Sequence, residues 1–191
     1  ITPQTPATAI NLGTGATDTG LQLDDGELAQ LQDGFTSITI GDAVNGSGTV
    51  SINASSFLDP VTITGGNITV GGGVTNQANA GITLVSSNTA TIGASGQITT
   101  TGSGTLTITA TRNMAMNAGS TLSVGDGDLT LSANAAGTAT GGFVGINLNN
   151  ASIETTGIGA ISITGEGGDS GGGLAGVLIL NGSIVPVSYT H

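Results

Sequence analysis

The side chains able to do chemistry are few. The 191-residue chain carries 12 Asp and Glu against a single base, Arg112, with one His (His191), one Tyr (Tyr189) and no Cys. General acid–base or glycosidic chemistry needs several such groups converging on one groove. Tyr189 and His191 sit in the last three residues, positions that fray more readily than they catalyse. No catalytic set is expected. The acids instead form small groups. Asp126 and Asp128, in VGDGDL, lie two apart in a Gly-rich corner, where carboxylates and carbonyls are hard oxygen donors suited to calcium. Glu166 and Asp169, in GEGGDSGGG, are a similar candidate set. The competing role is Asp as a turn former. Calcium is the one cofactor these residues suggest. The glycine runs lack the Lys and the strand-to-helix setting of a phosphate loop.

Elements that could position these acids are legible from Leu106 to Leu131. Four apolar pairs, Leu106/Ile108, Met114/Met116, Leu122/Val124 and Leu129/Leu131, start 8, 8 and 7 residues apart. A pair at i and i+2 puts two side chains on one face of a strand and the residue between them on the other. Three such strands followed by a return of the first predicts a three-sided parallel β-solenoid.

The same unit runs through most of the chain. First-face pairs begin at Ile38, Val61, Ile82, Leu106, Leu129 and Ile161, with spacings of 23, 21, 24, 23 and 32. The second face reads Val50/Ile52, Ile68/Val70, Ala90/Ile92, Met114/Met116, Val144/Ile146 and Val177/Ile179. The third reads Val74, Ile98, Leu122/Val124, Ile153 and Ile184. About six coils at the inter-strand spacing give a rod about 30 Å long. After Leu129 and Ile161 the step to the second face lengthens to 15 and 16 residues, placing insertions at 132–143 and 164–176 on one corner. Insertions on one corner of a repeat array suit a binding surface. Between the first-face pairs, Thr39, Thr62, Thr83, Thr107, Thr130 and Ser162 form an outward hydroxyl file. The file beside it is broken: Gly41, Thr64, Val85, Thr109, Ser132, Thr164.

Before the coils the period changes. Residues 1–20 read as an extended lead-in, with Ile10/Leu12 as one pair. Residues 21–34, LQLDDGELAQLQDG, predict a short helix of two to three turns. Asp24 and Glu27 would form its capping box, Leu28 and Leu31 its apolar stripe, and Gly34 its stop. Such a helix would cover the open end of the first coil. The β-helix itself is expected over 35–191, with an all-β sandwich as the alternative fold.

Composition narrows the function. Aromatics are 2% and charged residues 7%, so the core must be thin layers of small aliphatics. A net charge of −11 repels nucleic acid, whose binding needs clustered Lys and Arg. The apolar run GLAGVLIL, residues 173–180, is less than half of a membrane span. No signal peptide is visible, so a mature or excised chain, or a cytosolic one, is expected.

One resemblance sharpens this. The pattern L-x-D-x-E-L-x-x-L-x-x-G-x-x-x-I-x-I-G-D, within LQLDDGELAQLQDGFTSITIGDAVNGSGTVSI, resembles a segment of the filamentous-haemagglutinin-like large bacterial surface adhesins. Coils such as GTLTITATRNMAMNAGSTLSV are similar to their repeat regions. The resemblance implies a right-handed parallel β-helix, exported to the bacterial surface or secreted, working as an adhesin or matrix component. The Asn-Pro-rich motifs of that family's secretion domain are missing, which suggests an interior piece of a longer molecule. The expected function is a structural, non-enzymatic β-solenoid segment of an extracellular adhesin or filament, joining copies or neighbouring segments end to end. The C-terminal SIVPVSYTH, with Pro186 interrupting pairing, could add a strand to another subunit. The alternative is a carbohydrate- or cell-binding module using the two corner insertions.

Overall fold

The computed structural model describes residues 1–15, 19–77, 79–172 and 174–183. Its strands, numbered in chain order, form three sheets whose ladders are all parallel. The fold is a three-sided parallel β-solenoid; a sandwich would require antiparallel pairs. The first sheet holds β1 (Ile10–Leu12), β2 (Leu21–Leu23), β4 (Val50–Ile52), β7 (Ile68–Val70), β10 (Thr89–Ile92), β13 (Asn113–Met116), β16 (Ile146–Asn149) and β19 (Val177–Leu180). The second holds β3 (Ile38–Ile40), β6 (Val61–Gly65), β9 (Ile82–Ser86), β12 (Leu106–Ala110), β15 (Leu129–Ala133) and β18 (Ile161–Gly165). The third holds β5 (Ser55–Phe57), β8 (Gly73–Asn76), β11 (Gln97–Thr100), β14 (Thr121–Val124) and β17 (Ser152–Thr155). From β3 onward each coil visits the second, first and third sheets in turn.

Register follows the apolar pairs. Leu106 and Ile108 of β12 pair with Ile82 and Leu84 below and with Leu129 and Leu131 above. All six are essentially inaccessible, while Thr107 between the two in β12 stays partly exposed. The column stacks because a one-residue slip would turn every apolar side chain outward. Polar side chains on the third sheet's inner face are tied to corner carbonyls. Asn76 Nδ2 donates to Asp59 O (2.9 Å) and Gly81 O (3.1 Å), and Thr100 Oγ1 donates to Gly104 O at 2.7 Å. These positions interrupt the apolar signal, which is why the third face reads as single residues in the sequence.

Four local expectations change. The helix α1 is a single turn, Asp25–Leu28, although its capping box is present: Glu27 N–H donates to Asp24 Oδ1 and Asp24 N–H to Glu27 Oε2. It ends at Ala29 in a right-handed conformation, and the Gly34 N–H goes to Asp59 Oδ1 rather than closing a helix. Leu21–Leu23 form β2, an outermost strand, and Ile10–Leu12 form β1 between β2 and β4, so both stretches belong to the first sheet. On the second face, the inward pair of the fifth coil is Ile146/Leu148, in register with Met114/Met116, and not Val144/Ile146. The alternation runs unbroken from Val144 to Leu148, so a two-residue shift keeps the same parity and the first insertion takes up the difference. On the third face the sequence reading missed β5, whose inward residues are Ser55 and Phe57. Ile184, Pro186, Tyr189 and His191 lie outside the described residues.

The two ends differ. At the N-terminal end α1 packs against β5 and β2, with Leu28 buried and Leu31 half-buried against the core. A cavity of about 330 Å³ remains between Leu28, Leu31, Ser56 and Leu58. At the other end, β18 and β19 have no further strand beside them among the described residues. There Ile161, Ile163 and Val177 are half-buried and Ile179 is 54% exposed.

Candidate functional site

The corner between the second and first sheets carries the features that depart from plain scaffold. Two insertions, 134–145 after β15 and 166–176 after β18, leave the same corner in successive coils and hydrogen-bond to each other. Asn134 opens the first insertion at φ +47, a conformation Asn tolerates better than most residues. Its buried side chain is a staple: Oδ1 accepts from Ala139 N–H at 2.9 Å, and Nδ2 donates to Glu166 O and Gly167 O. Across the pair, Gly168 N–H donates to Phe143 O (2.9 Å) and Gly145 N–H to Ala175 O (3.1 Å). The insertions therefore form one two-layered lobe.

The sequence candidates Glu166 and Asp169 both lie in this lobe. Asp169 Oδ1 accepts from Gly141 N–H at 2.8 Å, tying the second insertion to the first. The Glu166 carboxylate lies over Gly137, whose φ of +63 favours glycine; a Cβ there would come within 2.7 Å of Glu166 Oε2 and displace that carboxylate. Arg112, from the preceding coil's corner, stacks 4.4 Å over the Phe143 ring and donates to Asn113 Oδ1 at 3.0 Å. The chain's one cationic side chain is thus committed to holding the lobe's base, a contact that charge count alone could not reveal. Beside the lobe lies a groove of about 210 Å³ lined by Thr109, Thr111, Ser132, Asn134 and Thr138.

Asp126 and Asp128 occupy a different corner, between the third and second sheets. Asp128 Oδ1 accepts from Ala160 N–H at 2.8 Å and Asp126 Oδ1 from Ile158 N–H at 3.2 Å. Each carboxylate thereby pins the next coil's corner, a contact between coils rather than a turn within its own corner. Their other oxygens are the ones a calcium ion would need. Among the described residues, no three His, Cys, Asp or Glu side chains converge as a metal cluster.

The outward hydroxyl file is in register from Thr39 through Thr62, Thr83, Thr107 and Thr130 to Ser162. The neighbouring file is interrupted more severely than its residue types suggest. Gly41 has φ +100, and a Cβ there would meet Thr64 O at 2.1 Å; Thr64 itself is 5% exposed, beneath the corner that follows β3. In that corner the N–H groups of Asn45 and Val44 hold the Asp42 carboxyl below the usual carboxylate range. No helix among the described residues is long and apolar enough to cross a membrane.

Comparison of the chain with protein-family models, with curated proteins and with solved structures finds no match. The geometry of the solenoid and its corner lobe is what a functional reading has to stand on.

Proposed function

We propose that this chain is a structural, non-enzymatic β-solenoid segment of an extracellular adhesin or filament of the bacterial surface, one that extends end to end. The observation that carries the reading is the asymmetry of the ends. The N-terminal end is packed by α1, whereas among the described residues no strand lies beside β18 and β19, whose apolar residues are half-buried or exposed. An open sheet edge without charge or proline is a template for another strand, and ISITG and VLIL carry neither. Stacked parallel ladders also give length and stiffness without a thick core, the property a surface spacer needs. The resemblance of residues 21–52 to a segment of the filamentous-haemagglutinin-like adhesins agrees with secretion or surface display.

The test is concentration-dependent association. Light scattering should show oligomers that disappear when Ile163 and Ile179 are both replaced by Lys, with the circular dichroism of a folded β protein retained. A wild-type chain that stays monomeric at every concentration tested would sink the end-to-end reading.

A second reading, a carbohydrate- or cell-binding module, draws support from the joined insertions and their hydroxyl- and amide-lined groove. Shortening both insertions to the corner length of the preceding coil should then abolish attachment to glycans or cells. Undiminished attachment would leave the lobe as scaffold.

A further inference from the structure

The corner between β5 and β6 holds a constellation that neither the spacer reading nor the corner lobe uses. Asp59 is followed by Pro60, and its side chain is 4% exposed. One carboxyl oxygen, Oδ1, accepts from Gly34 N–H at 3.1 Å; the other, Oδ2, is buried with no partner. The main-chain carbonyl oxygen of the same residue accepts a hydrogen bond of 2.9 Å from Asn76 Nδ2, and Asn76 is wholly buried. On the far side of the Asp59–Pro60 bond, Pro60 O is fixed by Ile38 N–H at 2.8 Å. An unpaired buried oxygen is costly and invites an explanation in function.

From this arrangement we infer that the chain cleaves its own Asp59–Pro60 peptide bond. Asp59, as the neutral acid, attacks its own main-chain carbonyl carbon through Oδ2, forming a C–O bond. The carbonyl oxygen becomes the oxyanion, facing the Asn76 amide that already donates to it, an oxyanion-hole arrangement. Collapse of this intermediate breaks the C–N bond to Pro60. The carboxyl proton passes to the departing proline nitrogen, leaving a cyclic anhydride on Asp59 and a secondary amine on Pro60. One water then opens the anhydride to two carboxyls. The balance is one peptide bond hydrolysed and one water consumed, with no oxidant, metal or cofactor. Proline suits this position twice over. Its nitrogen leaves as a basic secondary amine, and without an N–H it cannot enter the competing cyclisation onto the side chain. The event is a single self-processing step and not turnover, so it is compatible with a structural chain.

The cut would not release the pieces. β3 pairs with β6, β4 with β7 and β5 with β8, and each of these ladders spans the cleavage point. A nicked chain therefore stays one particle until it is denatured.

The experiment incubates the purified chain at mildly acidic pH, folded or in denaturing guanidinium, and follows intact mass. The expected products are fragments 1–59 and 60–191, whose masses sum to the intact chain plus one water. They should co-migrate on a native gel and separate in detergent. Cleavage should be faster in the folded chain than in the denatured one, absent in Asp59→Asn, and slowed about a hundredfold in Asn76→Ala, as for loss of one oxyanion donor. A rate in the folded chain equal to or below the denatured rate would overturn the inference, as would an unchanged rate in a folded Asn76→Ala. Should Asn76→Ala fail to fold, the folded-against-denatured comparison, which needs no substitution, decides alone. Neither outcome depends on whether the solenoid is a surface filament.

Discussion

Replacing one inward side chain in a central coil and its counterpart in the last coil tests the stacking argument directly. Ile108 sits in β12 between Leu84 and Leu131, and all three are at most 1% exposed. Ile108→Ala removes three carbons, about 2.4 kcal/mol at roughly 0.8 per buried methylene. The cavity left between two fixed coils adds to this, so the expected cost is about 3–4 kcal/mol, inside the usual range for such truncations. Ile163 is the matching residue of β18, half-buried and, among the described residues, paired only with Leu131. With about half the burial and room to relax, Ile163→Ala should cost about 1–1.5 kcal/mol. Thr107→Ala, on the outward face of β12, should stay within about 0.5 kcal/mol. Urea unfolding followed by far-ultraviolet circular dichroism reads all three as shifts of midpoint at constant slope. At concentrations where the chain is monomeric, equal costs for Ile108→Ala and Ile163→Ala would refute the argument, because the last coil would then be covered without a partner copy.

Arg112→Met keeps the aliphatic stem but loses the charge over Phe143; the free energy of unfolding should fall by about 0.5–1 kcal/mol, with faster amide exchange confined to the corner lobe. Asp128→Ala removes the acceptor for Ala160 N–H and should cost about 0.5–1.5 kcal/mol in calcium-free buffer by the same unfolding assay. The Asp42 carboxyl should titrate below its ordinary value, read by NMR from the Val44 and Asn45 amide shifts. Since that group's folded pKa is depressed, its contribution to stability is present above the unfolded value and is lost as pH falls through the lower, folded one.

The repeat was legible because the interior enforces it. Leu106, Leu129 and their partners must all face inward at a fixed separation, and a period-two pattern records that constraint without any knowledge of contacts. The third face was harder to read for a physical reason. Asn76 and Thr100 satisfy corner carbonyls from inside the coil, so polar residues stand where the pattern would ask for apolar ones. The capping box Asp24/Glu27 was correctly located, but the stripe Leu28/Leu31 was read as a longer helix. Leu21 and Leu23, an i, i+2 pair just before that cap, extend the first sheet by pairing with β1. At the corner lobe, the insertions could be placed from spacing alone. Their mutual hydrogen bonds, and the pairing of Arg112 with Phe143 across 31 residues, join positions that only the stacking of coils brings together.

The placement of charge bears on how such a rod could join others. Asp24, Asp25, Glu27 and Asp33 all lie in or just after the N-terminal cap, while β18 and β19 contain no ionisable side chain. Two caps meeting would bring like charges together beside β2 and β3, the outermost strands of the first and second sheets at that end. Two open ends meeting would bury Ile163, Val177 and Ile179, on strands that themselves carry no charge. Salt separates these cases. Contact between open ends, whose strands β18 and β19 carry no charge, should depend on ionic strength less than contact between caps, which should strengthen as salt screens their four acids. Association that rises steeply with salt and survives Ile163→Lys would therefore move the interface to the capped end.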